Sequence, residues 1–227
     1  MNKKIPALLL LLTLTLTGCG ESTNTNTNNN SEYKTEDIQI TDADAALARL
    51  KEGNDRFVNN NSELINVTSE RRDQLLEGQN PYATIVSCSD SRVTPTTIFD
   101  AGLGEIFDIR IAGNVVDDDA LGSIEYAVDH LHTPLIVVMG HEKCGAVTAA
   151  YDKLKNNTPV EGKINSLVDK ILPSISDSDS LNDAINENAE AVADVVEHDE
   201  IISKYEDEGK VKIVKAYYSL DGKVTFD

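Results

Sequence analysis

The sequence LIVVM at residues 135–139 predicts a β-strand that is buried on both faces, because all five side chains are apolar and three are β-branched. A second run of this kind, ATIVS, lies at residues 83–87. Parallel sheets are covered by helices on both faces, and their strands read as continuous apolar runs. The two runs therefore predict an α/β fold with a mainly parallel β-sheet flanked by helices.

The rest of the chain alternates between helical and strand patterns. The spacing of apolar residues predicts helices at residues 42–59, 69–77, 117–130, 145–154, 164–175 and 181–205. Further strands are predicted at residues 106–111, 212–218 and 224–226, and the pair Asp221-Gly222 predicts a turn between the last two. Strands that are separated by helices in this way are typical of an α/β fold.

The length and charge of the chain argue against several classes of protein. Its 227 residues suffice for one domain of ordinary size but not for two. With 39 acidic and 20 basic residues, the net charge is −19. This charge argues against a nucleic-acid partner and against binding to anionic lipid through a basic patch. The three cysteines are too few for a scaffold of this length held by disulfides.

Each of the two apolar strands leads into a segment rich in chemically active side chains. CSDSR follows the first strand at residues 88–92, and GHEKCG follows the second at residues 140–145. Ligands bind at the carboxyl ends of strands in open α/β sheets. If the two strands are neighbours, Cys88, His141 and Cys144 converge there. Two thiolates and one imidazole match a catalytic zinc site, in which three protein ligands leave one position open.

Other interpretations of these residues are open at this point. Cys88 and Cys144 could form a disulfide in an exported protein, or either could be an ordinary buried cysteine. His141 could be a loop histidine, and Asp90 with Arg92 could be a surface ion pair worth under about 1 kcal/mol. Asp90 and Arg92 lie beside a cysteine at one strand end, and a histidine and a second cysteine lie at another. This combination favours a zinc site over a disulfide.

The motifs CSDSR and HEKCG resemble the two signatures of the β-class carbonic anhydrases. Further segments are similar to the same family at residues 46–58 (ALARLKEGNDRFV), 104–114 (ending RIAGN), 123–128 (SIEYAV) and 212–218. The resemblance implies an α/β fold whose N-terminal helix packs on a partner subunit. It also implies a homodimer or a homotetramer.

The resemblance implies a role for each motif residue. Cys88, His141 and Cys144 would hold one Zn²⁺ ion per subunit. Asp90 would accept the hydrogen bond of the attacking hydroxide, and in some family members the equivalent aspartate binds zinc itself and closes the site. Arg92 would hold Asp90 through two hydrogen bonds.

The activity implied by the resemblance is the reversible hydration of carbon dioxide to bicarbonate and a proton. Gly113 and Gly145 are expected in the substrate pocket. One alternative is hydrolysis of carbonyl sulfide or carbon disulfide on the same scaffold. Another is a zinc-binding lipoprotein without catalysis, against which Asp90 and Arg92 argue because metal binding needs neither.

The N-terminal residues predict export. Residues 1–18 have the pattern of a lipoprotein signal peptide, with Lys3 and Lys4 before an apolar run too short to span a bilayer. The sequence LTGC at residues 16–19 resembles a lipobox, in which Cys19 would receive lipid; an ordinary signal peptide is the alternative. Residues 19–37 predict a flexible Asn/Thr-rich tether and residues 38–227 the folded domain. The protein is expected on the outer face of the bacterial cytoplasmic membrane or in the periplasm.

Overall fold

A computed structural model describes residues 39–63 and 66–227 of the chain. The predicted signal peptide, the predicted tether and Cys19 lie outside the described residues and stay predictions. All described residues belong to one unit, Tyr33–Asp227. Among them, no helix has both the length and the apolar character needed to cross a membrane.

The centre of the described region is a five-stranded sheet with the strand order β2-β1-β3-β4-β5. The strands are β1 (Ala83–Ser87), β2 (Ile106–Arg110), β3 (Leu135–His141), β4 (Lys212–Tyr218) and β5 (Val224–Phe226). Strands β1 to β4 are parallel, and β5 pairs antiparallel with β4. The predicted mainly parallel sheet is therefore confirmed, including the hairpin at its end.

The two apolar strands that predicted the fold are direct neighbours. Ser87 at the end of β1 pairs with Met139 of β3 on one side and with Arg110 of β2 on the other. Residues that follow Ser87 and Met139 therefore leave the sheet at the same edge. This adjacency is the condition on which the predicted convergence of Cys88 and His141 depended.

Eight helices flank the sheet in the described part of the chain. They are α1 (Ala43–Val58), α2 (Ser69–Gln74), α3 (Pro95–Ile98), α4 (Asp118–Asp129), α5 (Gly145–Asn156), α6 (Ile164–Ile171), α7 (Leu181–Glu197) and α8 (Glu200–Asp207). Two short 3₁₀ turns lie at Ala112–Asn114 and Leu172–Ile175. The first helix begins as the sequence predicts, with the Asp42 side chain accepting the N–H of Ala45 at 2.8 Å.

One predicted helix was wrong in detail, and one short helix was missed. Residues 181–205 form two helices, because the side chain of Asp199 accepts the N–H groups of Ile201 and Ile202 at 3.0 Å each and so starts α8 as a new helix. The short helix α3, which begins at Pro95, was not predicted. A proline at the first helical position has no N–H to leave unsatisfied there.

The two faces of the sheet carry separate apolar clusters. Ile85 and Val137 face the helix α1, which buries Ala46 and Leu50 in the same cluster. Val86 lies in a second cluster, to which α4, α7 and α8 contribute. Burial on both faces explains why β1 and β3 show continuous apolar sequence instead of alternation. The predicted packing of α1 on a partner subunit stays a prediction.

Candidate metal centre

The structure brings three sequence-predicted ligands together at the carboxyl edge of the sheet. Cys88 follows β1, His141 ends β3, and Cys144 is the residue before α5. Their potential ligand atoms all lie within 4.8 Å of one another. All three residues are buried, with relative exposures of 4%, 0% and 1% respectively. Lys143, with φ of 55°, makes the tight turn that returns the chain from His141 to Cys144.

The ring of His141 is oriented for metal binding. Its Nδ1 lies 2.9 Å from the carbonyl oxygen of Glu142, and since a carbonyl only accepts, Nδ1 carries the proton. The other nitrogen, Nε2, therefore presents a lone pair. Nε2 is buried and has no hydrogen-bond partner in the part of the chain that the structure describes. Leaving such an atom unsatisfied costs about 1–3 kcal/mol, and a metal ion at the cluster would satisfy it.

The two cysteines are suited to act as thiolate ligands. Neither forms a disulfide within residues 39–63 and 66–227, and their sulfur atoms lie 4.0 Å apart, about twice the length of a disulfide bond. The pKa of the Cys88 thiol is lowered, chiefly because the Cys144 thiol donates a hydrogen bond to its sulfur, which also accepts the backbone N–H of Gly113. The pKa of Cys144 is raised, because its proton is held by Cys88. The pair thus favours one negative charge even without a cation.

This donor set fits a zinc ion. Zinc prefers cysteine sulfur and histidine nitrogen, and thiolate ligands must be deprotonated. The described residues supply three such ligands, which is the number found at catalytic rather than structural zinc sites. The buried lone pair of His141 and the lowered pKa of Cys88 agree with this chemistry.

Asp90 and Arg92 form a bidentate ion pair next to the cluster. The guanidinium Nε and Nη2 of Arg92 donate to Oδ1 and Oδ2 of Asp90 at 2.9 and 2.7 Å, and the Arg92 backbone N–H donates to Oδ1 at 2.9 Å. These hydrogen bonds from Arg92 hold the pKa of the Asp90 carboxyl well below its usual range. The side chain of Asp90 is only 18% exposed. Three hydrogen bonds from one neighbouring residue therefore fix the direction of the Asp90 carboxylate.

Arg110 also contributes to this edge of the sheet, and the sequence reasoning missed it as a site residue. It ends β2, and its Nη2 and Nε donate to the carbonyl oxygens of Asp90 and Cys88 at 2.8 and 3.3 Å. Ligands bind at the carboxyl ends of parallel strands, and β2 is parallel to β1. The same rule would therefore have identified Arg110. Arg110 thus holds the backbone that carries Cys88 and Asp90.

Glu142 was also missed, although it lies inside the motif HEKCG. Its carboxylate accepts the backbone N–H of Leu220 at 3.0 Å, and its own N–H donates to the carbonyl oxygen of Tyr218 at 2.9 Å. Both contacts reach the end of β4 and the residues after it. They fix the short segment between the predicted ligands His141 and Cys144 to the neighbouring strand.

The two glycines predicted in the substrate pocket occupy different environments. A Cβ atom on Gly113 would lie 2.8 Å from Cδ1 of Ile171 and 3.1 Å from Cβ of Ala146, so this position is tightly packed. A Cβ atom on Gly145 would meet nothing within 4 Å. Gly145 therefore borders open space at the start of α5, whereas Gly113 contacts Cys88 from within the protein. A substrate-binding role stays a prediction for both.

The fold and the cluster together define an α/β protein with a buried Cys₂His site for a metal ion at the carboxyl edge of a parallel sheet. A sequence profile of the family described as carbonic anhydrase matches residues 83–224, which is more than half of the chain. The chain belongs to the β class of the carbonic anhydrase family, whose members are lyases.

Individual relatives agree with this assignment. The chain is 41% identical over 183 residues to carbonic anhydrase 2 of Mycobacterium tuberculosis, a match that covers 78% of this chain and 88% of that protein. It is 45% identical over 131 residues to a carbonic anhydrase of Mycolicibacterium smegmatis, covering 58% and 64% of the two chains. A tetrameric β-carbonic anhydrase of the ascomycete Sordaria macrospora superimposes with a TM-score of 0.62 at 25% identity, over 68% of this chain and 84% of that one.

Proposed function

We propose that this protein catalyses the reversible hydration of carbon dioxide to bicarbonate and a proton, with one Zn²⁺ ion per subunit held by Cys88, His141 and Cys144. The observation that carries the proposal is the convergence of these three ligand atoms within 4.8 Å at the strand ends. The bidentate pair of Asp90 and Arg92 two residues beyond the first ligand supports a reaction rather than metal binding alone.

The chemistry of the bound ion explains why such a site suits carbon dioxide. When bound, zinc(II) lowers the pKa of a water at the site to about 7 and so supplies hydroxide at ordinary pH. The protein's contribution begins with His141, whose Nδ1 proton is held by the Glu142 carbonyl so that Nε2 keeps its lone pair toward the cluster. Arg110 adds to this by holding the backbone of Cys88.

Asp90 is proposed to orient the attacking hydroxide. An ionised carboxylate can accept about four hydrogen bonds. Among the described residues, the Asp90 carboxylate accepts three, all from N–H groups of Arg92. Two of them reach Oδ1 and one reaches Oδ2, which leaves Oδ2 able to accept a hydrogen bond from the hydroxide. That hydrogen bond would turn an oxygen lone pair toward the carbon of the substrate. Because its pKa is lowered, Asp90 stays charged and acts as an acceptor rather than as a proton carrier.

Substrate is proposed to bind beside Gly145, where the absence of a side chain leaves open space at the start of α5. Carbon dioxide is small and uncharged, so the site needs room and a fixed direction of attack more than a strong binding group. Gly113 is retained in this proposal for its backbone N–H, which contacts the ligand Cys88. The further prediction that Asp90 binds zinc in a closed state also remains a proposal.

The protein is further proposed to assemble as a homodimer or homotetramer, with α1 packing on a partner subunit. The similarity to a tetrameric carbonic anhydrase supports an oligomer. Among the described residues, β2 is an edge strand that pairs with β1 on one side only. Light scattering coupled to size-exclusion chromatography would measure the assembly, and a monomer at micromolar concentration would contradict it.

Export and a lipid anchor at Cys19 are proposed from residues 1–19 alone. The sequence LTGC and the short apolar run before it support processing as a lipoprotein. Expression of the whole chain in bacteria with a labelled fatty acid would test this directly. We expect label on the wild-type chain and none on Cys19→Ser; label on both would contradict lipidation at Cys19.

The proposed activity is tested by stopped-flow hydration of carbon dioxide from about pH 6 to 9, with and without a zinc chelator. Expected are one zinc ion per subunit and hydration that chelation abolishes and added zinc restores. A zinc-loaded protein with no hydration at any of these pH values would contradict the proposal. Parallel assays with carbonyl sulfide and carbon disulfide would then distinguish a hydrolase from a zinc-binding protein without catalysis.

A further inference from the structure

Asn188 links helix α7 to the turn at Ala112–Asn114. Its side chain is buried, with only 2% of the residue exposed. The amide Nδ2 donates to the carbonyl oxygen of Gly113 at 2.9 Å and lies 3.5 Å from Oδ1 of Asn114. Its Oδ1 accepts a hydrogen bond from Oγ of Ser174 at 3.4 Å. The amide group thus uses both its donor and its acceptor ends inside the protein.

Gly113 connects this contact to the metal centre. The carbonyl oxygen of Gly113 accepts from Asn188, and the N–H of the same residue donates to Sγ of Cys88 at 3.3 Å. Any change in the orientation of Gly113 therefore changes both hydrogen bonds. The path from Asn188 to the ligand sulfur passes through one residue.

The turn that contains Gly113 needs contacts to hold its conformation. Gly113 has φ of 73° and Asn114 has φ of 45°, so two successive residues lie in the left-handed region. This backbone conformation costs free energy for any residue with a side chain. The cost is smaller for asparagine than for most residues, but it is not zero. The N–H of Asn114 donates to the carbonyl of Ile111 at 2.8 Å, which closes the turn from one side. Asn188 holds it from the other.

We propose that Asn188 is a positioning residue for the metal centre, which keeps the N–H of Gly113 directed at Sγ of Cys88. The inference rests on the proposed zinc site and adds to it a residue that touches neither metal nor substrate. An N–H that donates to a thiolate draws charge from the sulfur and weakens its donation to the metal. Because two thiolates already offset the double charge of zinc, this donor would keep the ion more electrophilic.

The chain offers a matched pair of variants for a test. Asn188→Asp keeps the shape of the side chain but replaces the donor Nδ2 by an oxygen, which would face the carbonyl oxygen of Gly113. Asn186→Asp makes the same chemical change on the same helix at an exposed position. Both variants are prepared as the whole chain and loaded with Co²⁺, whose charge-transfer band reports on the thiolate, or with Zn²⁺ in competition with a chelator.

For Asn188→Asp we expect the Co²⁺–thiolate band to move to longer wavelength, because a sulfur that loses its hydrogen bond donates more readily. We also expect the dissociation constant for zinc to rise about tenfold, because the loss of the contact that orients Cys88 outweighs the stronger donation of its sulfur. Turnover should fall mainly in kcat, with KM little changed. Asn186→Asp should match wild type in all three measurements.

A merely structural asparagine would lower the melting temperature and leave the cobalt band and the zinc affinity of the folded protein at wild-type values, and this would overturn the inference. If Asn188→Asp does not fold, Asn188→Ala removes the same donor without adding a charge. Loss of folding in both variants would assign Asn188 to the fold alone and would also overturn it. Failure of the wild-type chain to bind Zn²⁺ or Co²⁺ would instead contradict the proposed function.

Discussion

The guanidinium of Arg92 holds the carboxylate of Asp90 through two parallel hydrogen bonds, of 2.9 Å from Nε and 2.7 Å from Nη2. The two residues follow β1, two and four positions after the predicted ligand Cys88. Arg92 is half-exposed and Asp90 is mostly buried, so the solvent-facing cation fixes the inward-facing anion. Bidentate geometry fixes direction as well as distance, and this is what a group that orients a nucleophile requires.

Asp90→Asn should retain metal and lose most activity. The amide has nearly the shape of the carboxylate but only one acceptor oxygen, and its NH₂ would face donors of Arg92. We expect kcat for hydration to fall about 100-fold, the effect of removing one well-placed orienting or stabilising group. Stopped-flow kinetics and zinc analysis on the same sample would measure both. Full activity with bound zinc would show that Asp90 has no orienting role.

Arg92→Lys tests whether direction matters beyond charge. Lysine keeps the positive charge but cannot make two parallel hydrogen bonds to one carboxylate. We expect about a tenfold loss of kcat with unchanged zinc content, since removal of a bidentate partner costs on the order of 1–2 kcal/mol. Arg72→Lys, on the short helix α2, is a matched control. The guanidinium Nη1 of Arg72 donates to the carbonyl oxygen of Val67, away from the cluster. Equal activity of Arg92→Lys and wild type would mean that charge alone suffices.

Cys88→Ala should lose the metal. It removes one of the three ligands in the cluster, and zinc with two protein ligands is held far less tightly. Less than one tenth of the wild-type zinc content is expected after dialysis against a weak chelator, and hydration should fall in proportion. Ser89→Ala, at the next residue, removes only a hydroxyl that donates to the Arg110 carbonyl and should keep the metal. Wild-type zinc content in Cys88→Ala would exclude this cysteine as a ligand.

The residues of the Cys88, His141 and Cys144 cluster were predictable because their signals are local. Cys88 and His141 follow runs of apolar residues that are buried on both sheet faces, and such runs predict parallel strands without further information. The one condition that the sequence left open was the order of the strands. The neighbouring positions of β1 and β3 satisfied it.

The positioning contacts were not predictable for the opposite reason. Asn188 lies 75 residues from Gly113 in an acidic helix with no motif, and only tertiary packing brings the two together. The break between α7 and α8 depends on which of several acidic residues in that segment acts as a cap, and the extended backbone that lets Asp199 do so is set by tertiary packing. Long-range contacts of single polar residues leave no periodic pattern in a sequence.

Asp100 should contribute to stability in a pH-dependent way. Its side chain is fully buried and accepts hydrogen bonds from Nε of Arg56 at 2.6 Å, from the backbone N–H of Glu63 at 2.9 Å, and from Ser62. Burial alone would raise the pKa of Asp100, but the hydrogen bonds to Arg56, Ser62 and Glu63 outweigh it and lower the pKa. Since the unfolded pKa is about 3.9, the stabilisation is complete above that pH and is lost as pH falls through the folded pKa.

Asp100→Asn should therefore lower the free energy of unfolding by about 3 kcal/mol near pH 7, because it leaves the largely buried Arg56 without its anion. The difference between variant and wild type should shrink as the pH is lowered below about 4. Urea unfolding at several pH values measures both. Asp44→Asn breaks the exposed pair with Lys212 and should stay close to wild type. A pH-independent difference for Asp100→Asn would contradict the assigned charge.

Gly53→Ala should destabilise the contact of α1 with the body of the domain. A Cβ atom at this position would lie 1.9 Å from the backbone carbonyl oxygen of Phe99, and backbone cannot move aside as a flexible side chain can. We expect a loss of about 2–3 kcal/mol, at the upper end of the range for overpacking. Gly122→Ala is the matched control, since its Cβ would meet nothing within 4 Å and alanine favours the helix α4 by about 0.5–1 kcal/mol. Thermal unfolding of both variants should shift in opposite directions; a stabilised Gly53→Ala would mean that α1 does not pack closely against Phe99.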